Sequence, residues 1–131
     1  MIYSLLVLAS PTAGQTNRTA AGFAAELYSR GHTLHRVFFM DAGVDTALAT
    51  PIAPQDEINP QALWIALAKQ FDVELVACIS SALKRGVLDE LEATRYEKVA
   101  ATLHPNFELG GLGQLVDASA HSDRLITFGG A

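Results

Sequence analysis

The chain has almost no means of covalent or metal stapling, since its 131 residues contain a single cysteine, Cys78, and four scattered histidines. An internal disulfide is impossible, and so is a cysteine-rich zinc site. A lone thiol suits a reducing compartment, and the cytoplasm is the expected location. A basic surface is missing too: nine Lys and Arg stand against 14 Asp and Glu, a net charge of −5. That balance argues against direct nucleic-acid binding, which needs a cationic face. Long apolar runs are absent as well. The opening MIYSLLVLAS has no basic residue before Arg18, and its apolar stretch is far short of the roughly 20 residues a membrane span requires. It reads as a buried first strand of a soluble protein.

What is present suffices for a core. Half of the chain is hydrophobic and 18% is charged, a globular composition. A chain of this length buries roughly two-thirds of its unfolded surface without staples. No internal repeat, low-complexity tract or linker interrupts it, so residues 1–131 are expected to form one domain.

Apolar strands and amphipathic helices alternate along it. Strands are predicted over residues 2–8, 34–40, 73–79, 107–109 and 125–128. The first helix runs from a cap at Thr16 or Asn17 to Arg30, with Gly31 at its C-terminal end. Others cover 61–71, a short capped turn at 80–86, an acidic stretch at 89–101, and 112–120 with Leu112, Leu115, Val116 and Ala120 inward. Phe38, Phe39, Trp64 and Phe71 read as core. Strands that are apolar on both faces and alternate with helices specify an α/β fold, an open parallel sheet with helices on both sides.

Function in such sheets gathers at the C-terminal strand ends. Three loops qualify: residues 10–16, the long proline-bearing connection 41–60, and the turn that starts at Cys78. Cys78 ends a strand just before a short helix, where free backbone N–H groups favour a thiolate. Lys84 and Arg85 follow within two turns and add positive potential, and Ser80 and Ser81 lie next to the thiol. The same position also suits an inert core cysteine, since free cysteines are among the most buried residues. With no second cysteine, the chemistry open to it is a covalent adduct handed on to another molecule. A tyrosine-phosphatase loop does not fit, because Arg85 follows Cys78 after six residues instead of five. The hydroxyl-rich loop 10–16 loosely matches the phosphate loop of flavodoxins, so a flavin- or nucleotide-binding domain is an alternative. The histidines form no ligand spacing with Cys78 and read as surface or capping residues, and the run Gly110-Gly111-Leu112-Gly113 as a site of close backbone packing.

The segments VACISSALKRGVLDELEA, HRVFFMDAGV and NFELGGLGQLVDASAHSDRLITF, in this order, resemble the sulfurtransferase family of TusD and DsrE over essentially the whole chain. Thr12 and Ala13 depart from an aromatic that tends to follow the proline there, and Met40 from a frequent tyrosine. The resemblance implies a five-stranded parallel DsrE/DsrF-like fold and a cytoplasmic sulfur-relay subunit. Its catalytic Cys78 would carry a persulfide, without metal or organic cofactor. It further implies a hetero-hexamer with TusB- and TusC-like subunits, a TusA-like sulfur donor, a TusE-like acceptor, and 2-thiouridine in tRNA as the endpoint. A DsrE-type sulfur-oxidation relay, or a structural subunit with an inert Cys78, are the other readings it leaves.

Overall fold

The computed structural model describes residues 1–130. Five strands, β1 (Ile2–Val7), β2 (Thr33–Phe39), β3 (Glu74–Cys78), β4 (Glu108–Gly110) and β5 (Arg124–Phe128), form one parallel sheet in the order β4-β3-β2-β1-β5. The helices between them are α1 (Thr16–Ser29), α2 (Pro60–Phe71), α3 (Ile79–Lys84), α4 (Glu90–Arg95) and α5 (Leu112–Ala120). A 3₁₀ helix over Asp41–Ala47 follows β2.

Strand order decides which helix covers which face. The chain steps from β1 through β4 in one direction, then returns across the sheet to β5. Right-handed crossovers therefore put α1 and α2 on one face and α5 on the other. Side chains agree: Phe23 of α1 packs on Tyr3 and Phe128, and Trp64 of α2 packs edge-on to Phe39. On the opposite face Arg36 reaches α5. Phe38, Phe39 and Trp64 are fully buried, as their apolar context implies. Phe71 is instead 37% exposed and stacks flat on Tyr28 at 3.7 Å.

Helix ends follow local chemistry. Asn59 caps α2, its side-chain oxygen accepting from Gln61 N–H, and Pro60 occupies the first turn where no N–H is needed. The start of α1 differs from expectation. Gln15 holds the cap position without a side-chain bond, and Asn17 turns into the core. There its amide donates to Ala9 O and Thr46 Oγ1 and its oxygen accepts from Trp64 Nε1. Three tertiary hydrogen bonds outweigh one local cap.

Two further expectations are corrected. The acidic stretch is helical only to Arg95, because Glu97 adopts a left-handed φ of 55° and turns the chain back toward Leu88. In α5 the buried residue is Ala118, whereas Leu112 and Val116 are 57% and 68% exposed and Ala120 is exposed too. Leu115 is half-buried against the core as expected. The helix is further held by polar ties, with Arg36 donating to Gln114 O and to Asp117, which leave Leu112 and Val116 turned outward.

The 3₁₀ helix sits tightly on the end of β1. A Cβ at Gly43 would overlap the Val7 carbonyl, a backbone group with no alternative rotamer. Gly43→Ala is expected to destabilise the protein by about 1–3 kcal/mol, read as a lower urea midpoint with an unchanged slope. A midpoint at or above the wild-type value would show that the helix can move away freely.

Candidate functional site

Apolar residues carry β3 to its last position, Cys78, and the chain then bends at once into α3. Cys78 stands at the cap position of that helix with φ −58° and ψ 122°, and its side chain makes no capping hydrogen bond. Its Cα pairs in register with Gly110 of β4. No side chain fits at Gly110, because Val76 and the Gln114 amide already fill the space a Cβ would take. That close packing meets the expectation at Gly110 but not at Gly111 and Gly113, which border open space.

The chemistry considered for Cys78 needs a reachable thiol, and here the structure departs from expectation. Cys78 is only 3% exposed and belongs to the main hydrophobic cluster. β3 lies between β2 and β4, and α3 begins without an intervening loop, so the thiol is folded in beneath the helix start.

The four residues expected to support it divide into two pairs. Ser81 Oγ accepts from Asp41 N–H at 3.1 Å, and Arg85 Nη1 lies 3.6 Å from Asp45 Oδ2. Both therefore tie α3 to the 3₁₀ helix after β2. Ser80 and Lys84 are exposed, and their side chains make no hydrogen bond or ion pair among the described residues. At the C-terminal end of α3, Gly86 takes a φ of 75° that other residues reach only with strain.

The other two loops meet beside the end of β1. Residues 11–18 and 51–60 enclose a groove of about 520 Å³, lined among others by Thr12, Gln15, Arg18, Asp56 and Glu57. Two carboxylates against one guanidinium are a poor match to a phosphate group. The loop hydroxyls are also engaged with each other: Ser10 Oγ accepts from Thr12 N–H and lies 3.1 Å from Thr12 Oγ1. The groove and Cys78 share no lining residue.

A polar cluster that the sequence did not single out joins β2 to α5. Arg36, 7% exposed, donates through Nε to Glu74 at 2.7 Å and through Nη1 to Asp117 Oδ2 at 2.9 Å. His35 and His121 also converge on Asp117, at 3.3 and 3.0 Å. The hydrogen bond from His35 and the Arg36 guanidinium hold the Asp117 carboxyl below the usual carboxylate range. Asp117 and His121 are four apart on one helix and could be paired from sequence. His35 joins them only through the tertiary fold.

Comparison with known proteins decides the family. The DsrE/DsrF-like family matches residues 1–128. The chain belongs to that family. Sulfurtransferase TusD of Serratia proteamaculans is 41% identical over 98% of this chain and 100% of its own. The sulfurtransferase TusD homolog of Pseudomonas aeruginosa is 39% identical over 95% of each chain. The DsrE protein of Allochromatium vinosum is 38% identical over 98% of this chain and 99% of its own. Such matches place this DsrE/DsrF-like chain among the family's sulfurtransferases. The five-stranded fold has a counterpart in the crystal structure of the ychN protein from E. coli, with TM-score 0.76 and 20% identity over 98% of this chain and all of that one. No helix among the described residues is long and apolar enough to cross a membrane.

Proposed function

We propose that the protein is a sulfur-relay subunit that carries sulfane sulfur as a persulfide on Cys78. The observation that carries this reading is the position of the chain's one cysteine, at the C-terminal end of an inner strand, in a chain related over its full length to sulfurtransferases. In the first step the Cys78 thiolate attacks the outer sulfur of a donor persulfide. The new S–S bond gives Cys78–S–SH, and the donor sulfur leaves as thiolate. In the second step an acceptor thiolate attacks that outer sulfur and the Cys78 thiolate is released. Each step exchanges one S–S bond for another, so no oxidant, metal or organic cofactor is consumed.

The donor in this reading is a TusA-like protein and the acceptor a TusE-like protein. Sulfur ends as 2-thiouridine at the wobble position of tRNA, in the cytoplasm. The acidic composition is compatible with that endpoint, because sulfur passes between proteins and the subunit need not hold RNA. Assembly with TusB- and TusC-like subunits in a hetero-hexamer would cover Leu112 and Val116 on α5, which are large apolar side chains left in water. A sulfur-oxidation relay is the second reading, favoured by the full-length similarity to the DsrE protein of Allochromatium vinosum. Deleting the gene separates the two: loss of tRNA 2-thiouridine supports the first, and retained 2-thiouridine with impaired sulfur oxidation the second.

Intact-mass analysis after incubation with a persulfide-loaded TusA-like donor tests the carrier itself. Wild-type protein is expected to gain the mass of one sulfur atom, which dithiothreitol removes, and Cys78→Ser to gain none. Sulfur uptake by the serine variant, or none by the wild type in the presence of its partner subunits, would refute the proposal.

A further inference from the structure

The register of the central ladder slips by one residue beside the polar cluster of α5. Tyr3 pairs with Leu34 and Ser4 with Arg36, so His35 has no partner in β1. Side chains of consecutive strand residues ordinarily point to opposite faces, and a bulge is the device that re-aims one of them. Here both His35 and Arg36 contact Asp117 on α5. Arg36 alone already anchors the helix, through Gln114 O and Asp117. The interruption of the ladder therefore serves the placement of a second basic side chain on the same carboxylate.

We infer that His35, Asp117 and His121 form a binding site for a divalent transition-metal ion of the zinc class, separate from the Cys78 chemistry. One ligand atom from each of the three lies within 4.8 Å of the others. Ligand atoms around a tetrahedral zinc ion stand about 3.4 Å apart, given bonds of roughly 2.0–2.1 Å. His35 Nε2 lies 3.3 Å from Asp117 Oδ2 and His121 Nδ1 lies 3.0 Å from Oδ1, so the carboxylate already stands between the imidazoles. The remaining adjustment is for His35 to move toward Oδ1 and for the two rings to close on each other. Their ring centroids are 5.9 Å apart. Two imidazoles and one carboxylate are a donor set suited to zinc, nickel or copper and poorly suited to magnesium or calcium.

The surroundings supply the outer contacts such a site uses. Arg36 grips Asp117 Oδ2, which leaves Oδ1, the oxygen facing His121 Nδ1, to the ion. Glu74, 2.6 Å from the Arg36 guanidinium, offsets its positive charge. The Asp117 and His121 side chains are 43% and 65% exposed, so the ion has a path from solvent and a fourth coordination position open to water. His35 through Nε2 and His121 through Nδ1 bind as neutral imidazoles. His121 Nδ1 also donates to the Asp117 backbone carbonyl at 2.9 Å, so that contact is exchanged for the ion. The proton there, with any that His35 Nε2 shares with the carboxylate, is released to solvent as the ion enters.

The site is tested by titrating zinc chloride into the full chain in a Cys78→Ser background, which removes the one thiol that could compete for the ion. One equivalent is expected to bind, with the ring resonances of His35 and His121 shifting while those of His32 and His104 do not. His121→Ala and His35→Ala are each expected to weaken binding at least about tenfold, and His32→Ala to leave it unchanged. His121 lies at the exposed end of α5, so its variant keeps the test valid even if His35→Ala unfolds. No stoichiometric binding, or binding that survives His121→Ala and Asp117→Asn, would overturn the site. Because the measurement is made without the thiol, its failure leaves the sulfur-carrier reading untouched.

Discussion

Iodoacetamide is expected to label Cys78 at least about 100-fold more slowly in the folded chain than in urea, the protection expected where reaction waits for local opening. The residue is 3% exposed, so reagent reaches it only in a fraction of molecules that have opened. A factor of 100 corresponds to an opening cost of about 2.7 kcal/mol, well below the price of global unfolding for a typical domain. The opening unit that the contacts single out is α3. Of its six residues only Ala82 is buried, and its polar ties are Ser81 to Asp41 N–H and Arg85 to Asp45. Ser81→Ala combined with Arg85→Ala is accordingly expected to speed labelling several-fold at unchanged global stability. In the proposed relay, sulfur transfer through Cys78 would include uncovering the thiol, and a docking partner that holds α3 open would accelerate labelling as well. Equal labelling rates in the folded and unfolded chain would show that the thiol is open to solvent.

Asn17→Leu is expected to cost roughly 2–5 kcal/mol, the sum of buried polar groups left without partners. The side chain is 1% exposed and serves three elements at once: the end of the β1 segment at Ala9, the 3₁₀ helix at Thr46, and α2 at Trp64. Leucine approximates its shape but leaves the Trp64 N–H and the Ala9 carbonyl unpaired in the core. Urea unfolding monitored by Trp64 fluorescence and by circular dichroism should show the same lowered midpoint. A loss under about 1 kcal/mol would mean that water or a neighbouring group replaces the amide. The effect on sulfur uptake should be smaller than the effect on stability, because Cys78 contributes to none of these bonds.

The strands and their parallel arrangement were legible because a strand buried on both faces leaves a continuous apolar run, as in residues 2–8 and 73–79. Cys78 was legible as the end of such a run. Its burial was not, since local sequence does not say what packs over a strand end. The inward face of α5 was misread for a related reason. Leu112 and Val116 have core periodicity, but the helix is alone on its face and is oriented by Arg36, a charged residue within an otherwise apolar strand. Asn17 carried the opposite ambiguity, with a cap-forming residue type at a cap-like position claimed by the tryptophan of another helix. The His35–Asp117–His121 cluster needs a register slip that no periodicity reveals.

The position of β1 also shapes how the chain reaches its native state during synthesis. β1 is made first, yet one of its edges stays unpaired until β5, the last strand, has left the ribosome. The contact it awaits spans some 120 residues, with Ile2 N–H donating to Asp123 and Ser4 meeting Ser122. Until then a Leu-rich strand edge is open to pairing with other nascent chains. The interval before β5 emerges, more than collapse of the first β-α-β unit, is therefore when this sheet is most exposed to aggregation, and when chaperone demand should be greatest.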